Sequence, residues 1–113
     1  MKYALLINDL AAPFEGMDEE QVGALMREYQ EIAQAPGVYD GAQLMPISTA
    51  TTVRVADGDV VLTDGPFSEA KEYLGGYYLV DVDDLDAAIE LARRIPAARM
   101  GGSVEIRPIV DRG

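Results

Sequence analysis

Apolar residues recur along this chain in two alternating rhythms, one of period two and one of period near 3.6. From Lys2 to Asn8, Tyr3, Leu5 and Ile7 fall on one side of an extended segment and Ala4 and Leu6 on the other, as in a strand covered on both faces. Asp18 to Gln21 then has capping-box spacing, with Met17 and Val22 placed as a hydrophobic staple. The stripe Val22, Leu25, Met26, Tyr29, Ile32 and Ala33 predicts an amphipathic helix that Pro36-Gly37 stops. Val38 to Leu44 is a short extended piece before Pro46. Thr49 to Ala56 alternates with β-branched residues, Asp57-Gly58 is a two-residue hairpin signal, and Val60 to Thr63 is the returning strand. Asp64 to Leu74 reads as a loop with room for one helical turn capped by Ser68.

Gly75-Gly76 opens a further strand, Tyr77 to Val82. The glycine pair lacks the spacing of a dinucleotide fingerprint and instead permits a bulge or a close backbone approach. Asp83 is placed to cap a second helix with Leu85, Ala88, Ile89 and Ala92 buried, Arg93 and Arg94 in its last turn and Pro96 at its end. Ser103 to Val110 is the last strand, where Pro108 marks a sheet edge or strand end. The order is that of an α+β, ferredoxin-like (split βαβ) sheet with two helices on one face and an inserted hairpin. Residues 1–113 are expected to form one domain. Two helices cover only one face of such a sheet, so a homodimer packed sheet to sheet or edge to edge is expected.

Charge narrows the choice of partner. Twenty Asp and Glu against nine Lys and Arg give a formal charge of −11, which opposes direct binding to nucleic acid or to an anionic membrane surface. No apolar run reaches bilayer-spanning length, and the N-terminus lacks the pattern of a signal peptide, so a cytoplasmic location is expected. With no His and no Cys, a Ser-His-Asp triad, a Cys-His dyad and a two-His iron site are excluded, and no cofactor or metal is assigned. Asp81, Asp83, Asp84 and Asp86 straddle a strand end and a helix start, where acids act as caps; they lack calcium-loop order.

The remaining chemistry concentrates at Asp64-Gly65-Pro66-Phe67. A plain reading is an Asx-type turn, with the residue before Pro66 held extended. A functional reading places the Asp64 carboxylate, as a candidate acid-base group, at the mouth of a cleft, beside Glu69 and Lys71 and facing Arg54 of the hairpin. Gly65, Pro66 and Phe67 would shape that cleft. Of Tyr77 and Tyr78, one packs in the core and the other faces outward or across a dimer; Tyr78 is carried as a candidate ligand contact.

Several separated segments together resemble the DGPF-type branch of the YCII-related proteins: Thr49-Ala-Thr-Thr-Val-Arg54, Asp64-Gly-Pro-Phe67, Lys71-Glu-Tyr-Leu-Gly-Gly-Tyr77, Arg94-Ile-Pro96 and Gly102-Ser-Val-Glu-Ile-Arg-Pro108. The resemblance implies a dimeric ferredoxin-like fold of the α/β-barrel type and a cleft lined by the Asp64 loop. The wider group has a His-Asp pair in its cleft and includes an enzyme that removes chloride from an aromatic ring. This chain retains a candidate aspartate, Asp64, but has no histidine, so that reaction does not carry over. The branch is also associated with extracytoplasmic-function sigma factors, which implies a regulatory setting. Two functions follow as expectations: a small-molecule-binding domain with a modest acid-base activity, and a protein-interaction module whose acidic surface, including Glu15, Glu19 and Glu20, meets a basic partner such as a sigma factor. A third is a dimeric scaffold with a filled, apolar cleft.

Overall fold

The computed structural model describes residues 1–66 and 70–113. Its regular elements are β1 (Lys2–Leu10), α1 (Glu19–Ala33), β2 (Val38–Gln43), β3 (Thr51–Ala56), β4 (Asp59–Asp64), β5 (Glu72–Asp81), α2 (Leu85–Ala92) and β6 (Ser103–Pro108). Short 3-10 turns occupy Ile47–Thr49 and Pro96–Arg99. Four strands form one antiparallel sheet in the order β2-β5-β1-β6, and β3-β4 form a separate ribbon. This mixed α+β architecture is consistent with a ferredoxin-like fold: β5 lies between β1 and β2, and β6 closes the outer side of β1.

Strand alternation builds the core. Tyr3, Leu5 and Ile7 of β1 and Tyr78 and Val80 of β5 turn the same way and meet Ile32 of α1, Ala88, Leu91 and Ala92 of α2, and Ile95 and Ala97 beyond it. Leu5, Val80 and Ile95 have no solvent exposure. The first helix begins with the expected capping box: Gln21 N–H donates to Asp18 Oδ1 (2.8 Å) and Asp18 N–H to Gln21 Oε1 (2.9 Å). After its end the chain turns at Gly37, whose φ of 92° brings its α-carbon against the Asp81 carbonyl. A Cβ there would lie 2.9 Å from that oxygen, so glycine is required by conformation and by space.

Three expectations are corrected. The strand read as Tyr77 to Val82 is β5, which begins at Glu72; Gly75-Gly76 lies within it, not at its start, and Gly75 is the unpaired residue where the register with β1 shifts between Ile7 and Asn8. A bulge disguises a strand from sequence because it breaks the alternation by one residue. The second helix is capped by Asp84, whose Oδ1 accepts from Ala87 N–H (2.9 Å), one residue later than Asp83. Its buried positions are Ala88, Leu91 and Ala92, while Leu85 and Ile89 are exposed, because a helix of eight residues is oriented by the sheet more than by its own stripe. The predicted turn capped by Ser68 falls outside the described residues.

The β3-β4 ribbon turns at Asp57 (φ 51°) and Gly58 (φ 84°), both left-handed as a type I′ turn requires. Pairing of Val53 with Leu62 and of Val55 with Val60 sets four apolar side chains on one ribbon face, each at least 60% exposed. The molecule is correspondingly flat and wide, 46 × 46 × 19 Å, with a radius of gyration of 15.9 Å against about 13 Å for a compact chain of this length.

The cap assignment predicts a contrast. Asp84→Ala should lower the unfolding free energy by about 1 kcal/mol and Asp83→Ala by less than about 0.5 kcal/mol, measured by urea denaturation.

Candidate functional site

Only part of the apolar stripe of α1 enters the core. Leu25 and Ile32 are buried, whereas Met26, Tyr29 and Ala33 form one wall of a cleft of about 770 Å³. The opposite wall is β2 with the segment that follows it, Leu44 to Ile47. The floor comes from Ile7 and Asp9 of β1 and from β5 between Tyr73 and Tyr78, and residues 11–15 border one end. The size suits a drug-sized or cofactor-sized organic molecule. The extended stretch Val38 to Leu44, read from sequence as a connecting strand, thus supplies a wall of the site.

Asp9 is the chemically distinctive group in this lining. Its side chain makes no hydrogen bond and no ion pair with the described residues, and burial raises its carboxyl above the ordinary value. The bulge at Gly75 provides its seat: a Cβ on residue 75 would stand 2.5 Å from Asp9 Oδ2 and 3.3 Å from Cγ. The same bulge changes which residues of β5 share a face. Tyr78 and Gly76 belong to the core-facing row, but beyond Gly75 the residue opposite Asp9 is Tyr73, which joins the cleft.

Two phenols complete the floor. Tyr78 O–H donates to the Tyr29 backbone carbonyl (2.7 Å) and so joins β5 to α1. Burial pushes the Tyr78 hydroxyl up to about 12, with the neighbouring Tyr29 adding to the rise. The Tyr29 hydroxyl is also pushed up to about 12, by burial first and then by the Asp9 charge, against opposing effects from the Ala97 backbone and Arg99. At neutral pH both rings are protonated, so neither serves as a base. Asp9 is the half-buried carboxyl of this floor.

The residues singled out from sequence divide between places. Tyr78 lines the cleft, with its hydroxyl proton committed to Tyr29. Asp64 ends β4, exposed and paired with Thr51; Arg54 is exposed on β3 and Lys71 is exposed before β5. Gly65 (φ 97°) donates its N–H to Ala50 O (2.7 Å) and accepts from Thr52 Oγ1 (2.8 Å), a local turn that ties the ribbon's base together, and Pro66 follows it, half-buried. Phe67 and Glu69 lie outside the described residues. Arg54, Asp64, Gly65, Pro66 and Lys71 are not part of the lining of the large cleft. Asp9 escaped the sequence reading because it follows a strand pattern that ends at Asn8; the glycine pair was its signal, since a bulge opposite a strand-end acid makes room for a carboxylate.

The fold and cleft define an α+β domain with a preformed cleft between α1, β2 and β5. The YCII-related domain family matches residues 1–112, and the chain belongs to that family. It is also similar, at 37% identity over 117 aligned positions covering 96% of this chain and 92% of the relative, to an uncharacterised protein of Rhizobium meliloti (strain 1021).

Since Asp9 is harder to ionise in the fold than in the open chain, its charge opposes folding at neutral pH. The unfolded chain releases this proton first, so stability falls as pH rises from about 3.8 through the folded value and is level above it. Asp9→Asn should therefore be more stable than the parent at pH 7, with the advantage disappearing below about pH 3.8; thermal melts across pH would show it. Gly75→Ala should fold with a loss of about 1 kcal/mol and displace the Asp9 carboxylate, seen as a moved carboxyl titration in NMR.

Proposed function

We propose that this protein is a dimeric small-molecule-binding domain in which Asp9, in the cleft between α1, β2 and β5, exchanges a proton with the bound ligand. The supporting observation is the unpaired, partly buried carboxyl at the floor of a preformed cleft of about 770 Å³. A carboxyl whose ionisation is held back by burial is a better acid-base group near neutrality than one in free solution. The absence of histidine directs this reading away from the His-Asp pair of the wider group and onto a single carboxyl flanked by phenols.

The dimer is supported by the uncovered face of the ribbon, where Val53, Val55, Val60 and Leu62 are exposed together. A two-stranded ribbon is barely stable alone in water, and a second copy is a cover present wherever the chain itself is. The Asp64 turn at the ribbon's base, with Arg54 and Lys71, takes part in binding through that assembly and not through the cleft of its own chain.

A second reading, a regulatory module docking on a basic surface such as that of a sigma factor, is favoured by the exposed Glu15, Glu19 and Glu20. It predicts a partner retained in low salt and released by added salt.

Native mass spectrometry of gently purified protein should give a dimer carrying a non-covalent small molecule. A thermal-shift screen of organic compounds should find ligands that raise Tm by on the order of 10 °C at a hundredfold excess over Kd, lost in Ala33→Trp, which fills the cleft. A folded protein with no such ligand, or hits unaffected by Ala33→Trp, would overturn the reading.

A further inference from the structure

We propose that the cleft selects cationic ligands, specifically an amine or quaternary ammonium group carried on an apolar or aromatic body, with the Asp9 carboxylate as the counter-charge. This inference rests on the reading of the cleft as a ligand site and adds the chemical class that the site accepts.

The charge census of the lining is one-sided. Its ionisable acids are Asp9, Glu15 and Asp40, and its described residues include no Lys and no Arg. The chain has no His, and the three residues outside the description, Phe67, Ser68 and Glu69, contain no cation either. A carboxylate or phosphate ligand entering this cleft would shed water and meet no opposite charge, a cost of several kcal/mol for a buried ion without a partner.

Two cations outside the lining, Arg99 and Lys2, are engaged elsewhere. Arg99 makes two hydrogen bonds to the carboxylate of Glu28, at 3.0 and 2.7 Å. Lys2 lies over the ring of Tyr39, 5.4 Å from its centroid, but is not itself part of the lining. Asp40 Oδ1 accepts from the N–H of Gly41 (2.8 Å), which leaves Asp9 as the half-buried acid of the lining with no partner among the described residues.

The apolar part of the lining fits the same class. Phe14, Tyr29 and Tyr73 line the cleft, Tyr73 directly opposite Asp9, and Tyr78 lies on the same sheet face, while Tyr77, paired with Leu6 and Ala42, turns to the other face. Aromatic faces attract ammonium groups and stack on flat apolar bodies, and they give nothing comparable to an anion. A carboxylate at the floor with rings around it is the arrangement that recognises alkylammonium ions.

A cation would also offset the burial that raises Asp9's pKa, so binding releases a proton when it begins below Asp9's folded pKa. Affinity for the cation then rises with pH through the Asp9 titration and levels off above it.

The test uses the full chain and three probes with one body: 1-naphthylmethylamine, 1-naphthalenemethanol and 1-naphthoate, titrated calorimetrically at pH 7 and about 0.15 M ionic strength. The amine should bind at least about tenfold more tightly than the carboxylate. Asp9→Asn should remove about tenfold of the amine's affinity and leave the alcohol's within about twofold. The double substitution Glu19→Gln/Glu20→Gln, on the exposed first turn of α1, should leave the preference intact, separating the cleft from the general field of a chain of charge −11.

Equal or tighter binding of 1-naphthoate, or an amine preference that survives Asp9→Asn, overturns the charge class. If all three probes bind alike and Ala33→Trp abolishes them, the ligand site stands and its cation selectivity falls. If none binds to the folded protein, the proposal fails for these amphiphiles, and failure of the broader thermal-shift screen would remove the ligand site as well.

Discussion

The antiparallel pairing of β1 with β5 is the constraint on which the rest of this molecule depends. It aligns Tyr3, Leu5 and Ile7 with Tyr78 and Val80, and those five side chains are the surface on which both helices settle. The pairing is regular up to Ile7 and shifts by one residue at Gly75. Up to the shift, Ile7 and Tyr78 serve both the core and the floor of the cleft. Beyond the unpaired glycine, the extra residue reverses the alternation of β5 and brings Tyr73 opposite Asp9 on the same face.

Much of this architecture was legible in the chain. The capping box at Asp18 and Gln21, the Asp57-Gly58 turn and the alternation of Tyr3, Leu5 and Ile7 are local signals, and local physics decides them. Pro108, read as marking a sheet edge or a strand end, is the last residue of β6, and β6 is an edge strand. What remained hidden was set by contacts distant in sequence. The orientation of α2 depends on β1 and β6, not on Leu85 and Ile89, and the start of β5 was masked by its bulge.

The site was less legible than the fold for a related reason. An amphipathic stripe announces that residues avoid water, but not whether they meet another side chain or an enclosed space. Met26, Tyr29 and Ala33 satisfy the helical pattern as fully as Leu25 and Ile32 do, yet they border the cleft. Composition drew attention to Asp64-Gly65-Pro66, whose glycine is used in a turn that closes the ribbon's base through Ala50 and Thr52. Asp9 stood in an ordinary context, and its character comes from what surrounds it: burial, a glycine and no partner.

The hydrogen bond from Tyr78 to the Tyr29 carbonyl has a mechanical consequence. It anchors the middle of α1 to the central sheet beside the cavity, so the helix cannot swing away like a hinged door without breaking it. One wall and the floor are thereby tied together at that point. The same tie does not reach residues 11–15 and 44–47 of the lining, which lie outside the strands and α1.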